Sequence, residues 1–168
     1  MIVRAYLDWS LNASAAERAE AAGMLAEMFL ENDMADGARR DAEAALLLAL
    51  DDPSPLVRRM LAEKLGASDR APRALIATLS HDVSDIAAIV IANSPLLADA
   101  ALVDLLALGD ATVQCAVASR LVLSAPVSAA LCEVGTIESV LLLIDNPGAS
   151  IPVFALRRLM ARFSSDGG

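Results

Sequence analysis

Few residues in the chain carry side chains suited to catalysis or metal binding. There is one histidine, His81, followed by Asp82, and there are two cysteines, Cys115 and Cys132, seventeen positions apart. An adjacent His and Asp can ligate a catalytic metal, but such a site needs several further ligands of the same kind and the chain has no second histidine. The expectation is therefore that Asp82 caps a helix and that His81 is a surface or inter-repeat residue. Two cysteines make no disulfide framework, and small free thiols of this kind are expected in the core. His81 is the sole imidazole base available to any Ser or Cys, and nothing near it in sequence supports a triad. No glycine-rich phosphate cradle is present, and the carboxylates show no spacing that singles out an acid–base pair. No catalytic residue, metal or cofactor is expected.

The cations and amides are more informative. Arg58, Arg59, Lys64, Arg70 and Arg73 form the one clearly positive stretch, residues 53–80, with 5 basic and 2 acidic residues. Two readings stand. Arg58 and its neighbours could form a ladder to acidic residues of an adjacent unit, or the patch could dock an acidic partner segment through the bidentate fork of arginine. Lys64, Asn93, Arg120 and Pro147 recur at intervals of 29, 27 and 27, with Asn146 beside the last. Equivalent residues of stacked units would line one edge of a surface, or would satisfy free carbonyls at helix C-termini. The candidate partner-binding residues are thus Arg58, Arg59, Lys64, Arg73, Asn93, Arg120 and Asn146.

The same period runs through the elements that must carry them. Val57/Met60/Leu61, Ile86/Ile89/Val90, Val113/Ala116/Val117 and Val140/Leu143/Ile144 each mark one face of a short helix. Pro72, Pro126 and Pro152 follow their triplets by 15, 13 and 12 residues and open a second helix; Asp99 is expected to cap the corresponding helix of the second unit. Ser54 and Pro55 read as N-cap and first helical residue. Gly66, Gly109 and Gly135 fall at helix ends, where glycine can supply a left-handed cap. Upstream, 15–30 and 38–50 read as a longer, more acidic helix pair. The organisation expected is one domain, 1–163, with capping helices in 1–52, about four helix pairs in 53–163 and a disordered tail at 164–168. Stacked pairs of this kind make an all-α, right-handed α-α superhelix, a short HEAT- or armadillo-like solenoid.

Composition agrees. The 168 residues include 35 Ala and 27 Leu with 3% aromatics, which suits closely packed helices and not sheets. The net charge of -9 disfavours nucleic acid and anionic membranes as partners. DNA-modifying solenoids use basic, aromatic-lined grooves, which a single Trp near the N-terminus does not provide. The longest uncharged run, 86–98, is too short to span a bilayer, and Arg4 and Asp8 interrupt any leader-like run; a cytoplasmic location is expected.

From about Ala45 to Phe163 the chain resembles a bacterial family of unknown function, DUF2336, found mainly in alphaproteobacteria. The resemblance rests on LVRRMLAEKL (56–65), APRALIATLSHD (71–82), IANSPLLADAALVDLL (91–106), VQCAVASRLVLSAPVSAALCEVG (113–135) and LLLIDNPGASIPVFALRRL (141–159). It implies HEAT-like repeats, corresponding to the N-terminal part of a longer protein, and supplies no activity. The family often has His before the glutamine at Gln114; here the residue is Val113, so no role for that imidazole transfers.

The function expected is a non-catalytic protein–protein interaction scaffold with an unidentified protein partner, itself a monomer or weak homodimer. The alternative is a regulatory or sensory module working with a further C-terminal region. A thin, apolar helical stack should leave an uncovered apolar strip on its concave face or at its C-terminal end.

Overall fold

A computed structural model describes residues 2–31 and 33–164, the side chain of Ile2 excepted. Eleven α-helices account for these residues: α1 (Ile2–Ser10), α2 (Ala15–Glu31), α3 (Asp36–Leu50), α4 (Pro55–Leu65), α5 (Arg73–Leu79), α6 (Ser84–Asn93), α7 (Asp99–Leu108), α8 (Ala111–Ala118), α9 (Ala125–Val134), α10 (Ile137–Asp145) and α11 (Val153–Ser164). The all-α class follows, with a single isolated parallel bridge, Leu123 to Ala149, as the only β-type pairing among the described residues. Of the expected tail, Ser164 still belongs to α11, and 165–168 lie outside the described residues.

The helices start where polar side chains replace the missing intrahelical acceptors. Ser54 Oγ accepts from the Leu56 N–H with Pro55 next in line, and Asp110, Ser124 and Thr136 cap α8, α9 and α10 in the same way. Ser14 and Glu17 form a reciprocal box ahead of α2: each backbone N–H donates to the other's side chain. Two expected caps are corrected. Asp99 is already inside α7, after an uncapped Ala98, and Asp82 precedes the N-cap of α6, Val83, with its carboxylate held by an arginine of α4. The helix over Ile2–Ser10 lies upstream of the helices that the sequence pattern marks.

The glycine expectation is also corrected. Gly66, Gly109 and Gly135 do end α4, α7 and α9, but their φ angles are -57°, -80° and -65°, and no described residue has a positive φ. Space is what requires glycine there. A Cβ on Gly109 would lie 2.4 Å from Val113 Cγ1, and one on Gly135 would lie 2.5 Å from the Leu131 carbonyl oxygen.

Packing follows the parity of the helices. The even-numbered ones, α2, α4, α6, α8 and α10, pack in succession; on the other side α1 packs on α3, α3 on α5, α7 on α9 and α9 on α11. Each repeated triplet lies on an even helix; the first three turn inward, with Val57, Leu61, Ile86, Val90 and Val117 fully buried, whereas in the fourth Val140 and Leu143 are buried and Ile144 is exposed. The core forms two clusters that meet on α6, where Ile86 and Val90 join the first and Ala87 and Ile91 the second. Alanine makes this possible. Ala19, Ala22 and Ala26 of α2 are buried, and Gly23 lets Met60 of α4 come to within 3.0 Å of where a Cβ would stand.

Candidate functional site

Two ladders of polar side chains tie the even helices together, and they decide which candidate residues remain available. At the N-terminal ends, Arg18 of α2 donates through Nε and Nη2 to Asp52 (2.6 and 3.0 Å), in the loop before α4. Arg58 of α4 repeats the motif on Asp82 before α6 (2.7 and 3.1 Å) and also donates to the carbonyl of Asp52 at 3.0 Å. Ser84 of α6 donates to Asp110 (2.5 Å) before α8, and Gln114 of α8 accepts from the Thr136 N–H (2.8 Å) before α10. Every rung joins a helix to the loop that starts the next even helix.

The second ladder runs along the C-terminal ends, where carbonyls lack intrahelical partners. Arg120, after α8, donates to the carbonyls of Ile91 and Ser94 at the end of α6. Asn146, after α10, donates to the carbonyls of Ala118 and Arg120 at 2.8 Å each, and its Oδ1 accepts from the Gly148 N–H. Burial lowers the Arg120 pKa from its ordinary value, with Asp99 acting in the opposite direction, but a guanidinium stays charged in proteins. Asn93 takes no part: it donates to the carbonyl of Ile89 in its own helix.

The predicted residues are thus dispersed. Arg58, Arg120 and Asn146 are occupied in the ladders, Arg73 is exposed at the start of α5, and Arg70 faces Asp33 at 3.4 Å. Arg59 and Lys64 alone share a concavity, a groove of about 540 Å³ between α2 and α4. Its apolar lining includes Ala19, Gly23, Met24, Leu56 and Met60; its charged lining is Arg59, Lys64, Glu20, Glu27 and Glu63. Lys64 is paired with Glu27, which raises the lysine pKa, whereas Arg59 has no hydrogen-bond or ion-pair partner among the described residues. Sequence reasoning missed the α2 half of this groove, since Gly23 and the flanking alanines look like ordinary helix filler.

His81 offers little. Its Nδ1 lies 3.0 Å from the carbonyl oxygen of Ala77 and 3.1 Å from Ser80 Oγ, and Asp82 is engaged by Arg58. Among the described residues no three His, Cys, Asp or Glu side chains are grouped to hold a metal ion. Cys132 is buried and Cys115 partly so; both are unbridged, and burial raises both thiol pKa values, away from the reactive thiolate. No helix among the described residues is long and apolar enough to cross a membrane.

The first ladder makes stability pH-dependent. The Arg18 guanidinium, helped by the Ser54 N–H, holds the Asp52 carboxyl below its usual range. A carboxylate whose folded pKa lies below its unfolded value of ~3.9 stabilises the fold above that value, and the gain disappears as pH falls through the folded pKa. Urea melts taken from pH ~6 downwards should therefore show stability falling in the acid range below ~4, with a shallower fall in Asp52→Asn.

Comparison with known proteins adds one relation. The family model described as "Uncharacterised protein conserved in bacteria (DUF2336)" matches residues 86–168, from α6 onward, a later start than the resemblance beginning at Ala45. No curated protein and no solved structure matches the chain.

Proposed function

We propose that this chain, a member of the bacterial DUF2336 family through its residues 86–168, is a non-catalytic protein-interaction scaffold, a short right-handed solenoid of the HEAT or armadillo kind. The observation that carries this reading is how the cations are used. Arg18, Arg58 and Arg120 are committed to holding neighbouring helices, while Arg59 stands unpaired among the described residues over the open α2–α4 groove. The groove lies between two parallel ridges, the geometry that accepts an amphipathic helix. Met24 and Met60 line it with flexible apolar side chains able to adapt to the shape of an occupant. The partner that fits is a protein helix with small apolar residues on one face and a carboxylate placed opposite Arg59. The parity packing and the two ladders support the solenoid reading, because each repeats from unit to unit.

The test is affinity capture with the parent chain, Leu56→Asp and Arg59→Glu. Leu56 is exposed and Arg59 unpaired, so both variants should melt like the parent. A partner held by the parent and weakened about tenfold or more by each variant supports the groove. Equal capture by all three places binding elsewhere and defeats it.

A further inference from the structure

Among the described residues α10 is the last of the even helices, and no further even helix packs on its outer face. Leu61, Val90 and Val117 occupy equivalent places in α4, α6 and α8 and are each 0% exposed; Ile144, in the same place on α10, is 52% exposed. With Ile137 and Leu141 it makes a stripe at i, i+4, i+7. Leu156, Met160 and Phe163 make a stripe of the same spacing on α11. Between the two helices runs a groove of about 320 Å³ whose lining residues are all apolar.

The rims of this face differ in charge. Asp145 follows Ile144 and Glu138 follows Ile137, so both acids lie about 100° around α10 from its stripe. Arg157 follows Leu156 and flanks the α11 stripe in the same manner. All three are exposed. Arg162, near the end of α11, donates to the carbonyls of Cys132 and Gly135 just ahead of α10, so the two helices run antiparallel.

We infer that this face pairs with the same face of a second copy, about a two-fold axis running along the groove. That operation lays α10 of each copy over α11 of the other, apolar stripe against apolar stripe. It also brings Asp145 of each copy towards Arg157 of the other. A partner of uniform charge would suit one rim and oppose the other; a second copy suits both. Long-range electrostatics agrees. Residues 1–52 carry a net -7, whereas residues 136–168 hold three acids and three arginines. The copies therefore meet at a neutral end of an acidic chain. This pairing does not depend on the α2–α4 groove, which involves neither helix.

Sedimentation velocity over a concentration series tests it, using the full chain and the variants Leu141→Asp, Met160→Asp, Asp145→Arg, Arg157→Asp and the double charge swap. Leu141 and Met160 are 58% and 72% exposed, so helicity and Tm should match the parent. The parent should dimerise with rising concentration. Each apolar variant should weaken the dimer at least about tenfold, each single charge variant should weaken it too, and the double swap should regain it. A parent that stays monomeric throughout overturns the inference, as does a dimer indifferent to Leu141→Asp and Met160→Asp. A dimer that the double swap fails to regain overturns the α10-over-α11 arrangement.

Discussion

Arg58→Ala is expected to cost about 3 kcal/mol of stability, while Arg59→Ala, one residue on, changes it by less than ~0.5 kcal/mol. The Arg58 side chain is only 20% exposed and Asp82 only 10%, so removing the guanidinium strands a largely buried carboxylate. It also leaves the Asp52 carbonyl without the donor that lies 3.0 Å away. Arg59 has no such commitments among the described residues. Urea denaturation of both variants checks the contrast. Similar losses would mean that the ladder is not what Arg58 contributes. A lysine at 58 should recover little, because one ammonium cannot reproduce the two-pronged contact to Asp82.

Gly148→Ala is expected to cost about 3 kcal/mol as well, for a steric reason. A Cβ there would lie 1.9 Å from the carbonyl oxygen of Leu121, a contact that only backbone movement can relieve. The movement would disturb the clasp in which the Leu123 N–H donates to Gly148 and the Ser150 N–H donates to Leu123, each at 3.0 Å. It would also disturb Asn146, which joins the same two loops. Gly37→Ala provides the control. Among the described residues nothing lies within 4 Å of its Cβ position inside α3, so the variant should gain ~0.5 kcal/mol from reduced freedom of the unfolded chain. Thermal melts of the two variants should move in opposite directions.

Little of the candidate groove is legible in the sequence: of its lining residues only Arg59 and Lys64 are among the candidates. Lys64, Asn93 and Arg120 fall near the C-terminal end of α4, at the end of α6 and in the turn after α8. What their recurrence could not reveal is that the three side chains do different things. Lys64 meets Glu27 across a groove, Asn93 bonds within its own helix, and Arg120 reaches back to α6. Their partners lie 37, 4 and 26–29 positions away, and only the smallest of these separations falls within a helical turn. Asp82 teaches the same lesson. As a residue just before a helix it reads as a cap, but an arginine 24 positions upstream claims it.

By itself the sequence determined the helices from α2 onward and their order. Apolar triplets three and four apart, prolines in first turns and short polar caps act within one or two turns, so they operate in whatever tertiary setting the segment meets. It also determined the acidic balance and the abundance of Ala that lets helices pack closely. The tertiary structure alone decided how each residue is used. Arg58 and Arg59 are neighbours in sequence but about 100° apart on α4, which turns one toward the next unit and the other toward an open groove. Likewise Leu61 and Ile144 hold the same place in the repeat; among the described residues a further even helix packs on α4 and none on α10, and one side chain is core while the other is surface. Exposure depends on what stands beyond a side chain, and periodicity carries no information about that.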